Sequence, residues 1–316
     1  MRLLLVVLLL GAAVLASDAA EWASYTAKYQ RSYVSRTEEG RRYTTFRKNL
    51  RVAKLMTKLD KSAVYGSSPF MDMSQDEFRA MYLRPMHPTK TGAKYTTPLS
   101  ASTPASWDWD TQGMVIHPKD QGDCGSCWAF ATVGATESSW AIRGKGLYDL
   151  SEQQLIDCDS WGDDGCDGGD LDHAAYYVKQ NGIMGTVDYP YMAVDGKTCN
   201  YDSKKVIART KGFTDVTSDE GVMADALYTA GPIAIAINAT PLQFYSTGVL
   251  NPRFCPSSTL DHGVLLVGYG TDEETGLDFW RIKNSWGMDW GESGFFRMVR
   301  GVNACGVAEW PVQPVV

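Results

Sequence analysis

The residues from Gln121 to Phe130 place Cys124 and Cys127 three positions apart, where a helix is predicted to begin. The chain contains seven cysteines, so one thiol remains free if six of them pair in a secreted protein. A free thiol at the N-terminus of a helix lies in a positive field that stabilises its thiolate, which is the nucleophilic form. The pattern therefore predicts covalent catalysis by a cysteine.

A cysteine nucleophile needs a neighbouring base, and the base needs a group that orients it. His262 is the candidate base, because it opens a predicted strand between a polar turn and an apolar run. Gly263 beside it lets another backbone or a ligand approach closely, and Asn284 offers an orienting side-chain amide. The remaining histidines are predicted on a linker, a loop and a helix face, where surface or packing roles are more common: His87, His117 and His173.

Helical patterns precede strand patterns along the chain. Helices are predicted over residues 20–60, at Cys127–Arg143 with Ser126 as its cap, in the segment opened by Ser151, at Leu171–Gln180 and at Asp219–Tyr228. Strands are predicted at Ile233–Ile237, Gly263–Tyr269, Phe279–Lys283 and Gly294–Val299. Helices first and strands later indicate an α+β protein with two segregated halves.

The N-terminus has a basic residue and then an apolar run that ends near small residues. This pattern is typical of a signal peptide, expected over residues 1–19 with cleavage after Ala16 or Ala19. The run is shorter than the roughly 20 residues of a membrane span. Export implies an oxidising compartment, in which paired cysteines persist.

The charge is divided between the two sides of a predicted linker. The region Met86–Pro104 is rich in Pro, Thr, Ser and Gly and is predicted to be exposed and open to proteolysis. Residues 1–102 carry 16 Lys and Arg against 8 Asp and Glu, a net charge of +8, whereas residues 103–316 carry 14 against 29, a net charge of −15. The two pieces are expected to attract each other, and the acidic main body argues against a nucleic-acid partner.

Three motifs together resemble the papain/cathepsin L family of cysteine proteases: Cys-Gly-Ser-Cys-Trp, Asp-His-Gly and Asn-Ser-Trp-Gly. The resemblance implies a papain-like two-domain α+β fold, in which a mostly helical half (103–213) faces a β-barrel-like half (214–316) across a cleft. It also implies that a helical inhibitory propeptide (20–102) precedes the mature peptidase domain (103–316).

The same resemblance implies roles for the residues around the nucleophile, Cys127. His262 would act as general base and acid, would form a thiolate–imidazolium pair with Cys127 well below neutral pH, and would be oriented by Asn284. Trp286 would cover the hydrogen bond between His262 and Asn284 from water. Gln121 would supply the side-chain donor of the oxyanion hole, beside the Cys127 backbone N–H.

Substrate contacts are implied in the same way. An extended peptide would lie along Gly168 and Gly169, and an apolar pocket would favour a bulky apolar side chain at the second position before the cut. That pocket would be lined by Leu171, Ala236, Leu260 and Gly263. Whether Glu309 or Trp310 closes its floor stays open, and a glutamate there would also admit arginine.

The six other cysteines fit the pairs of this family, Cys124–Cys166, Cys158–Cys199 and Cys255–Cys305, although sequence alone allows 15 pairings of six cysteines. No cofactor or metal is expected, because Cys124 and Cys127 lack a second ligand pair at zinc spacing. A thiol–disulfide oxidoreductase would need both of these cysteines free. A non-catalytic binding protein on this fold would usually lack the nucleophile.

Two segments of the N-terminal third resemble the inhibitory propeptides of the family: the helical stripe Glu38, Arg42, Phe46 and Asn49, and the segment Gly66–Asp72. Three positions depart from those motifs: Ala53, Thr57 and Ser68. We therefore expect a zymogen whose basic propeptide masks an acidic enzyme. Acid would protonate carboxylates on both pieces, weaken their attraction and favour release.

The expected activity is that of a cysteine endopeptidase that cleaves protein and peptide substrates through an acyl-enzyme. Exopeptidase action is the alternative, although no insertion that could block the cleft is evident between Cys127 and Cys166. The expected partners are the chain's own propeptide and cystatin-type inhibitors, with no nucleic acid and no membrane. A monomer is expected, in a lysosome-like vesicle or outside the cell. Pro241 follows the glycosylation sequon at Asn238, whose occupancy stays open.

Overall fold

The computed structural model describes residues 17–95, 102–196 and 198–316. Most of the expected signal peptide and the middle of the predicted linker lie outside these residues. The described chain is an α+β protein, as the sequence predicted, with the longer helices in its first three-quarters and the longer strands in its last quarter.

Residues 17–95 form a helical region that packs against the rest of the described chain. Its helices are α1 (17–28), α2 (Arg36–Leu59) and α3 (Gln75–Tyr82), and its short strands are β1 (Ala63–Tyr65) and β2 (Ala93–Lys94). The helical stripe predicted in α2 is partly buried, with Phe46, Asn49, Leu50 and Ala53 facing the interior.

The prediction of helix throughout residues 20–60 is wrong at the turn between α1 and α2. Gln30 adopts a left-handed backbone with a φ of 49°, which an α-helix does not continue through. Ser35 then starts α2 anew, because its side-chain oxygen accepts a hydrogen bond from the Glu38 N–H. The local capping chemistry therefore outweighs the helical periodicity here.

The next part of the chain is mostly helical. Its strands are β3 (Trp107–Asp108), β4 (Ile183–Met184) and β5 (Val206–Ala208), and its helices are α4 (Cys127–Trp140), α5 (Glu152–Cys158) and α6 (Leu171–Asn181). Ser151 caps α5 as predicted, and Gly182 ends α6 with a φ of 76°.

Helix α4 is the central element of the molecule. All of its residues except Trp140 are buried, as expected for a helix that is covered on every side. It ends at Trp140 rather than at the predicted Arg143, and a wider turn, Ala141–Lys145, follows it. The predicted cap at Ser126 is also wrong: its backbone is not extended (φ −94°, ψ 16°) and its side chain makes no capping bond.

The last part of the chain supplies most of a ten-stranded sheet. It contains β6 (Gly212–Asp215), α7 (Glu220–Ala230), β7 (Ile233–Ile237), β8 (Tyr245–Leu250), β9 (His262–Thr271), β10 (Asp278–Lys283), β11 (Phe295–Val299) and β12 (Pro311–Val315). The strand order is β1-β8-β11-β10-β9-β7-β12-β6-β2, and β3 pairs with β9 off this path. The N-terminal region therefore contributes β1 and β2, one at each end of the sheet.

Three disulfides are present, and they join the pairs that the family resemblance implied: Cys124–Cys166, Cys158–Cys199 and Cys255–Cys305. They are consistent with passage through the secretory pathway. Among the residues that the structure describes, no helix combines the length and apolar character needed to cross a membrane.

Candidate active site

The first residue of α4 and the first residue of β9 meet at the centre of the molecule. Cys127 is the free cysteine, and its side chain is buried. The backbone N–H groups of Gly263 and Trp128 donate hydrogen bonds to its sulfur. A Cβ on Gly263 would lie 3.0 Å from the Cys127 carbonyl oxygen, so the glycine permits the close approach of the start of β9 to Cys127.

A hydrogen bond to Asn284 sets the orientation and the tautomer of His262. The Asn284 Oδ1 atom lies 2.7 Å from His262 Nε2 and also accepts the Ser285 N–H at 2.8 Å. Since this oxygen can only accept, Nε2 carries the proton in the neutral ring. Nδ1 is then the basic nitrogen, and it is buried with no hydrogen-bond partner. The ring is thus arranged to accept a proton at Nδ1.

Trp286 covers the imidazole. Its ring stacks on the His262 ring with centroids 4.7 Å apart and an interplanar angle of 27°. Both Trp286 and Asn284 are nearly inaccessible to solvent, so the hydrogen bond between His262 and Asn284 is kept from water. The family resemblance implied that Trp286 would cover this hydrogen bond.

Gln121 is held rigidly beside the start of α4. Its side-chain amide donates from Nε2 to the Cys124 carbonyl at 2.8 Å, and its Oε1 accepts the Ser285 hydroxyl at 2.6 Å. Its backbone N–H donates to the Ser285 carbonyl at 2.9 Å. The second N–H of Nε2 is left for another acceptor. Ser285 was not singled out from the sequence, although its place between Asn284 and Trp286 was a signal for it.

Burial keeps both members of the Cys127–His262 pair uncharged in this chain. It raises the pKa of the Cys127 thiol to about 11, although two backbone N–H donors act in the opposite direction. It lowers the pKa of His262 to about 4, against the effect of the bond to Asn284. Burial by the propeptide therefore disfavours the thiolate–imidazolium pair in the full-length chain, because both charges would form without water, and the pair stays a prediction for the processed enzyme.

The N-terminal region closes this site. Three of its aromatic rings, Phe70, Phe78 and Tyr82, contact Trp286 with centroids 5.3–5.9 Å away. The chain then passes across the cleft, where the backbone N–H groups of Arg84 and Met86 each donate at 2.9 Å to the carbonyls of Asp261 and Leu260. Only about 1% of the Cys127 surface remains exposed.

One residue of this segment shares an apolar cluster with three of the expected substrate-binding residues. Met86 is buried in the same cluster as Leu171, Ala236 and Leu260. It interrupts the predicted linker, whose neighbouring residues are exposed as expected.

The two glycines expected along the substrate path have different surroundings. Gly168 has a φ of 130°, and its Cβ position lies 3.4 Å from Arg84. Gly169 packs against the Trp128 indole, where a larger residue would clash. The hydrogen bonds of the covering segment run instead to the opposite wall, at Asp261 and Leu260.

Glu309 and Trp310, the two candidates for the pocket floor, differ in burial and in hydrogen-bond partners. Trp310 is buried in the same cluster as Leu171 and Ala236, and its indole N–H donates to the carboxylate of Asp172 at 2.8 Å. Glu309 instead accepts a hydrogen bond from Asn303 at 2.6 Å. Asp172 was missed from the sequence, because its partners come from distant segments.

Comparisons with known proteins agree with this arrangement. Residues 103–315 match the model of the papain family cysteine proteases, and residues 22–78 match that of the cathepsin propeptide inhibitor domain (I29). Procathepsin L of Mus musculus is 39% identical over 99% of this chain and 98% of its own length. Cathepsin L1 of Drosophila melanogaster is 39% identical over 94% of this chain and 85% of its own length.

A solved structure shows the same fold. The digestive procathepsin L2 proteinase from the larval midgut of Tenebrio molitor superimposes with a TM-score of 0.88 at 38% identity, covering 95% of this chain and all of that one. The match extends over the propeptide and the peptidase together. The chain therefore belongs to the papain family of cysteine proteases, is similar to cathepsin L, and carries an inhibitory propeptide that makes it a zymogen.

Proposed function

We propose that the mature enzyme is an endopeptidase with Cys127 as its nucleophile and His262 as its acid and base. The observation that carries the proposal is the bond from His262 Nε2–H to Asn284 Oδ1, which leaves Nδ1 without a partner in the residue next to Gly263, whose backbone N–H donates to the free thiol of Cys127. The Cys124–Cys166 disulfide removes the second thiol that an oxidoreductase would need.

The reaction follows from these positions. Nδ1 of His262 takes the thiol proton while the Cys127 sulfur attacks the peptide carbonyl carbon. The carbonyl oxygen becomes an oxyanion, which the free N–H of Gln121 Nε2 and the Cys127 N–H at the start of α4 stabilise. His262 then protonates the leaving amine, the C–N bond breaks and a thioester remains. Water, deprotonated by the same nitrogen, hydrolyses the thioester and restores the thiol.

Peptidase assays on the activated full-length chain test the proposal. The wild type should hydrolyse a peptide substrate, and an epoxide should label one thiol, Cys127, with loss of activity. Cys127→Ala and His262→Ala should each be inactive, while Asn284→Ala should lose much of its kcat. Activity that persists in Cys127→Ala would contradict the assignment, as would labelling of a different cysteine.

The pocket supports an apolar preference at the second residue before the cut. Met86 belongs to the same buried apolar cluster as Leu171, Ala236 and Leu260 in the zymogen. The indole N–H of Trp310 donates to the buried carboxylate of Asp172. We place Trp310, not Glu309, at the floor of the pocket, so Glu309 offers no carboxylate to an arginine there.

The propeptide inhibits by covering the site. It pairs β1 with β8, packs aromatic rings on Trp286 and passes its backbone through the cleft. Gln243 strengthens this contact, since its amide donates to the carbonyls of Phe70 and Met73. Ser68, which departs from the family motif, donates its hydroxyl to the Gln243 carbonyl at 2.6 Å. The departure therefore retains a polar contact with the peptidase.

Acid acts on removal of the propeptide through carboxylates whose pKa values the covering changes. Uncovering converts the neutral Cys127–His262 pair into a thiolate–imidazolium pair that holds the same number of protons, so this pair itself gives removal little pH dependence. Glu77 favours removal in acid, because its pKa is lowered in the propeptide. Asp215 and Asp261 act in the opposite direction, because burial raises the pKa of each to about 6 in the covered chain. The pH dependence of processing reports the balance of these groups.

Ion pairing supports signal-peptide cleavage after Ala16 rather than after Ala19. The Asp18 carboxylate is 6% exposed and accepts a hydrogen bond from Arg47 Nε at 2.8 Å. Cleavage after Ala19 would remove this partner and leave the half-buried Arg47 side chain unpaired. N-terminal sequencing of the secreted zymogen should therefore begin at Ser17, and a start at Ala20 would contradict this choice.

The remaining assignments complete the proposal. The propeptide extends to residue 102 and the peptidase spans 103–316, with a helical half to 213 and a β-rich half from 214. Both catalytic side chains come from one chain, which supports a monomer, and the open cleft of the mature enzyme suits cystatin-type inhibitors. The enzyme acts in a lysosome-like vesicle or outside the cell. Fractionation of cells that express the chain distinguishes the two locations.

A further inference from the structure

Tyr191, which is not one of the reacting groups, connects the two segments that supply the proposed oxyanion donors. The Tyr191 hydroxyl donates a hydrogen bond to the Gln121 backbone carbonyl at 2.6 Å. It also lies 2.8 Å from the hydroxyl of Ser126, the residue that precedes Cys127. Gln121 supplies one proposed oxyanion donor, and the Ser126–Cys127 peptide group supplies the other. The Tyr191 hydroxyl therefore contacts both residues that hold the oxyanion donors, Gln121 and Ser126.

The direction of these hydrogen bonds is determined by the partners. A carbonyl can only accept, so the single Tyr191 proton is directed to Gln121, and the Ser126 hydroxyl must donate to the tyrosine oxygen. Burial raises the pKa of Tyr191, so the phenol keeps its proton at every pH at which the enzyme would work. The chain of bonds runs from Ser126 through Tyr191 to Gln121, and linked hydrogen bonds strengthen one another.

The backbone at Ser126 shows that its hydroxyl serves this bridge. A serine directly before a helix usually accepts an N–H from the first turn. Ser126 makes no such bond and has a non-extended backbone (φ −94°, ψ 16°). The tyrosine ring is itself fixed, because it meets the Phe130 ring edge to face with centroids 5.0 Å apart. Phe130 lies one turn after Cys127 on α4, so the bridge is anchored on the same helix as the thiol.

We propose that Tyr191 is a positioning residue that sets the spacing of the two oxyanion donors, Gln121 Nε2 and the Cys127 N–H. Its hydroxyl hydrogen-bonds to Ser126 and Gln121, not to the thiol or the imidazole, so we expect its effect in the steps that form an oxyanion. The proposal rests on the proposed protease activity. Removing the hydroxyl should loosen both donors at once while leaving proton transfer between Cys127 and His262 unchanged.

Tyr191→Phe tests this, and Tyr189→Phe is the matched control. Tyr189 lies two residues earlier, and its hydroxyl bonds to Asp157 at 2.8 Å, away from the oxyanion residues. The full-length chains are processed with a trace of wild-type enzyme and normalised by active-site titration. For Tyr191→Phe we expect kcat to fall about tenfold with little change in KM, less than the loss of a whole donor. Tyr189→Phe should keep the wild-type kcat.

Two further measurements separate positioning from a general loss of structure. A peptide aldehyde, which forms an oxyanion on binding, should bind Tyr191→Phe about tenfold more weakly. Iodoacetamide, which reacts with the thiolate and forms no oxyanion, should alkylate both variants at the wild-type rate. Ser126→Ala should reproduce the loss, and Ser126→Ala combined with Tyr191→Phe should lose little more, because both break one chain of bonds.

The outcomes distinguish this inference from the proposed function. If the wild type hydrolyses no peptide, the protease assignment itself fails. If the wild type is active and Tyr191→Phe matches it in kcat and in aldehyde affinity, the positioning role is refuted. An equal fall in alkylation and hydrolysis for Tyr191→Phe would also refute it, because the defect would then lie in the thiol or in the fold.

Discussion

The Trp286 indole stacks on the His262 imidazole with ring centroids 4.7 Å apart, and propeptide aromatics contact the same indole. One side chain is thus shared by the catalytic site and by the inhibitor that covers it. In the covered chain, Trp286 is packed between the imidazole and the propeptide rings, and both Trp286 and His262 are buried. Inhibition and catalysis therefore use the same apolar surface.

Covering the thiol should change its reactivity with pH. In the zymogen, burial raises the Cys127 pKa to about 11, so roughly one thiol in 10⁴ is ionised at pH 7. After propeptide removal, the exposed pair should ionise far below neutrality. We expect iodoacetamide to label the processed enzyme on the order of 10³-fold faster at pH 6 than the zymogen. Equal labelling rates before and after processing would contradict this account.

The propeptide should lose stability in acid through Glu77. Burial opposes ionisation of this carboxylate, but the Ser74 bonds and the Arg42 charge outweigh it, and its pKa is lowered. The stabilisation is therefore present above about pH 4.3, the ordinary value, and is lost as the pH falls through the lowered pKa. In a Cys127→Ala chain, Glu77→Gln should lower the propeptide Tm by about 2–4 °C at pH 7.

The pH dependence of that Tm difference is the critical readout. As the pH falls through the lowered pKa, wild-type Glu77 becomes protonated, so the Tm difference between the two chains should shrink toward zero. Asp76→Asn, on an exposed neighbour in the same first turn of α3, is the matched control and should change the Tm less. A Tm difference that is the same at pH 3 and pH 7 would show that the carboxylate charge is not responsible.

The pocket should discriminate by size and polarity. A substrate with leucine at the second position before the cut should have a kcat/KM at least about tenfold higher than one with arginine. Glu309→Gln should leave this ratio unchanged, because Glu309 bonds to Asn303 instead of facing the pocket. If the substrate with arginine at this position is cleaved efficiently and Glu309→Gln abolishes that cleavage, Glu309 lies at the floor of the pocket instead.

The linker strand β2 should restrain processing. It pairs in parallel with β6, and a Cβ on Gly92 would lie 2.8 Å from Phe213 and 2.7 Å from Asp215. Gly92→Ala should loosen the strand next to the expected cleavage region and speed processing several-fold at pH 4.5. Gly212→Ala on β6, where a Cβ meets nothing within 4 Å, should be processed like the wild type. Gel time courses that show no difference between the two would contradict this role.

The sequon at Asn238 should carry no glycan in the folded chain. Its residue is 4% exposed, its amide nitrogen lies 3.4 Å from the Pro256 carbonyl that accepts from it, and its Oδ1 accepts the Thr240 N–H at 3.1 Å. A sugar on this nitrogen would break its hydrogen bond to the Pro256 carbonyl and require the buried side chain to turn outward. Treatment of the secreted zymogen with an amidase that removes N-glycans should leave its mobility and mass unchanged. A mass loss at this position would contradict the prediction.

Several features were determined by the sequence itself. The odd number of cysteines and the motif around Cys127 identified the free thiol, and the short-range patterns of α5, α6, β7 and β10 matched the observed elements within two residues. These features depend on neighbours a few positions away, such as Ser151 capping α5. Such interactions are encoded in the spacing of residue types, which a single sequence displays directly.

Other features were decided only by the tertiary structure. The Ser126 hydroxyl bonds to Tyr191, 65 residues away, instead of capping α4, and Trp310 reaches Asp172 across 138 residues. Burial by a separate segment makes the Cys127–His262 pair neutral in the zymogen. Hydrogen bonding and desolvation depend on which distant groups become neighbours, and that is settled when the halves and the propeptide pack together.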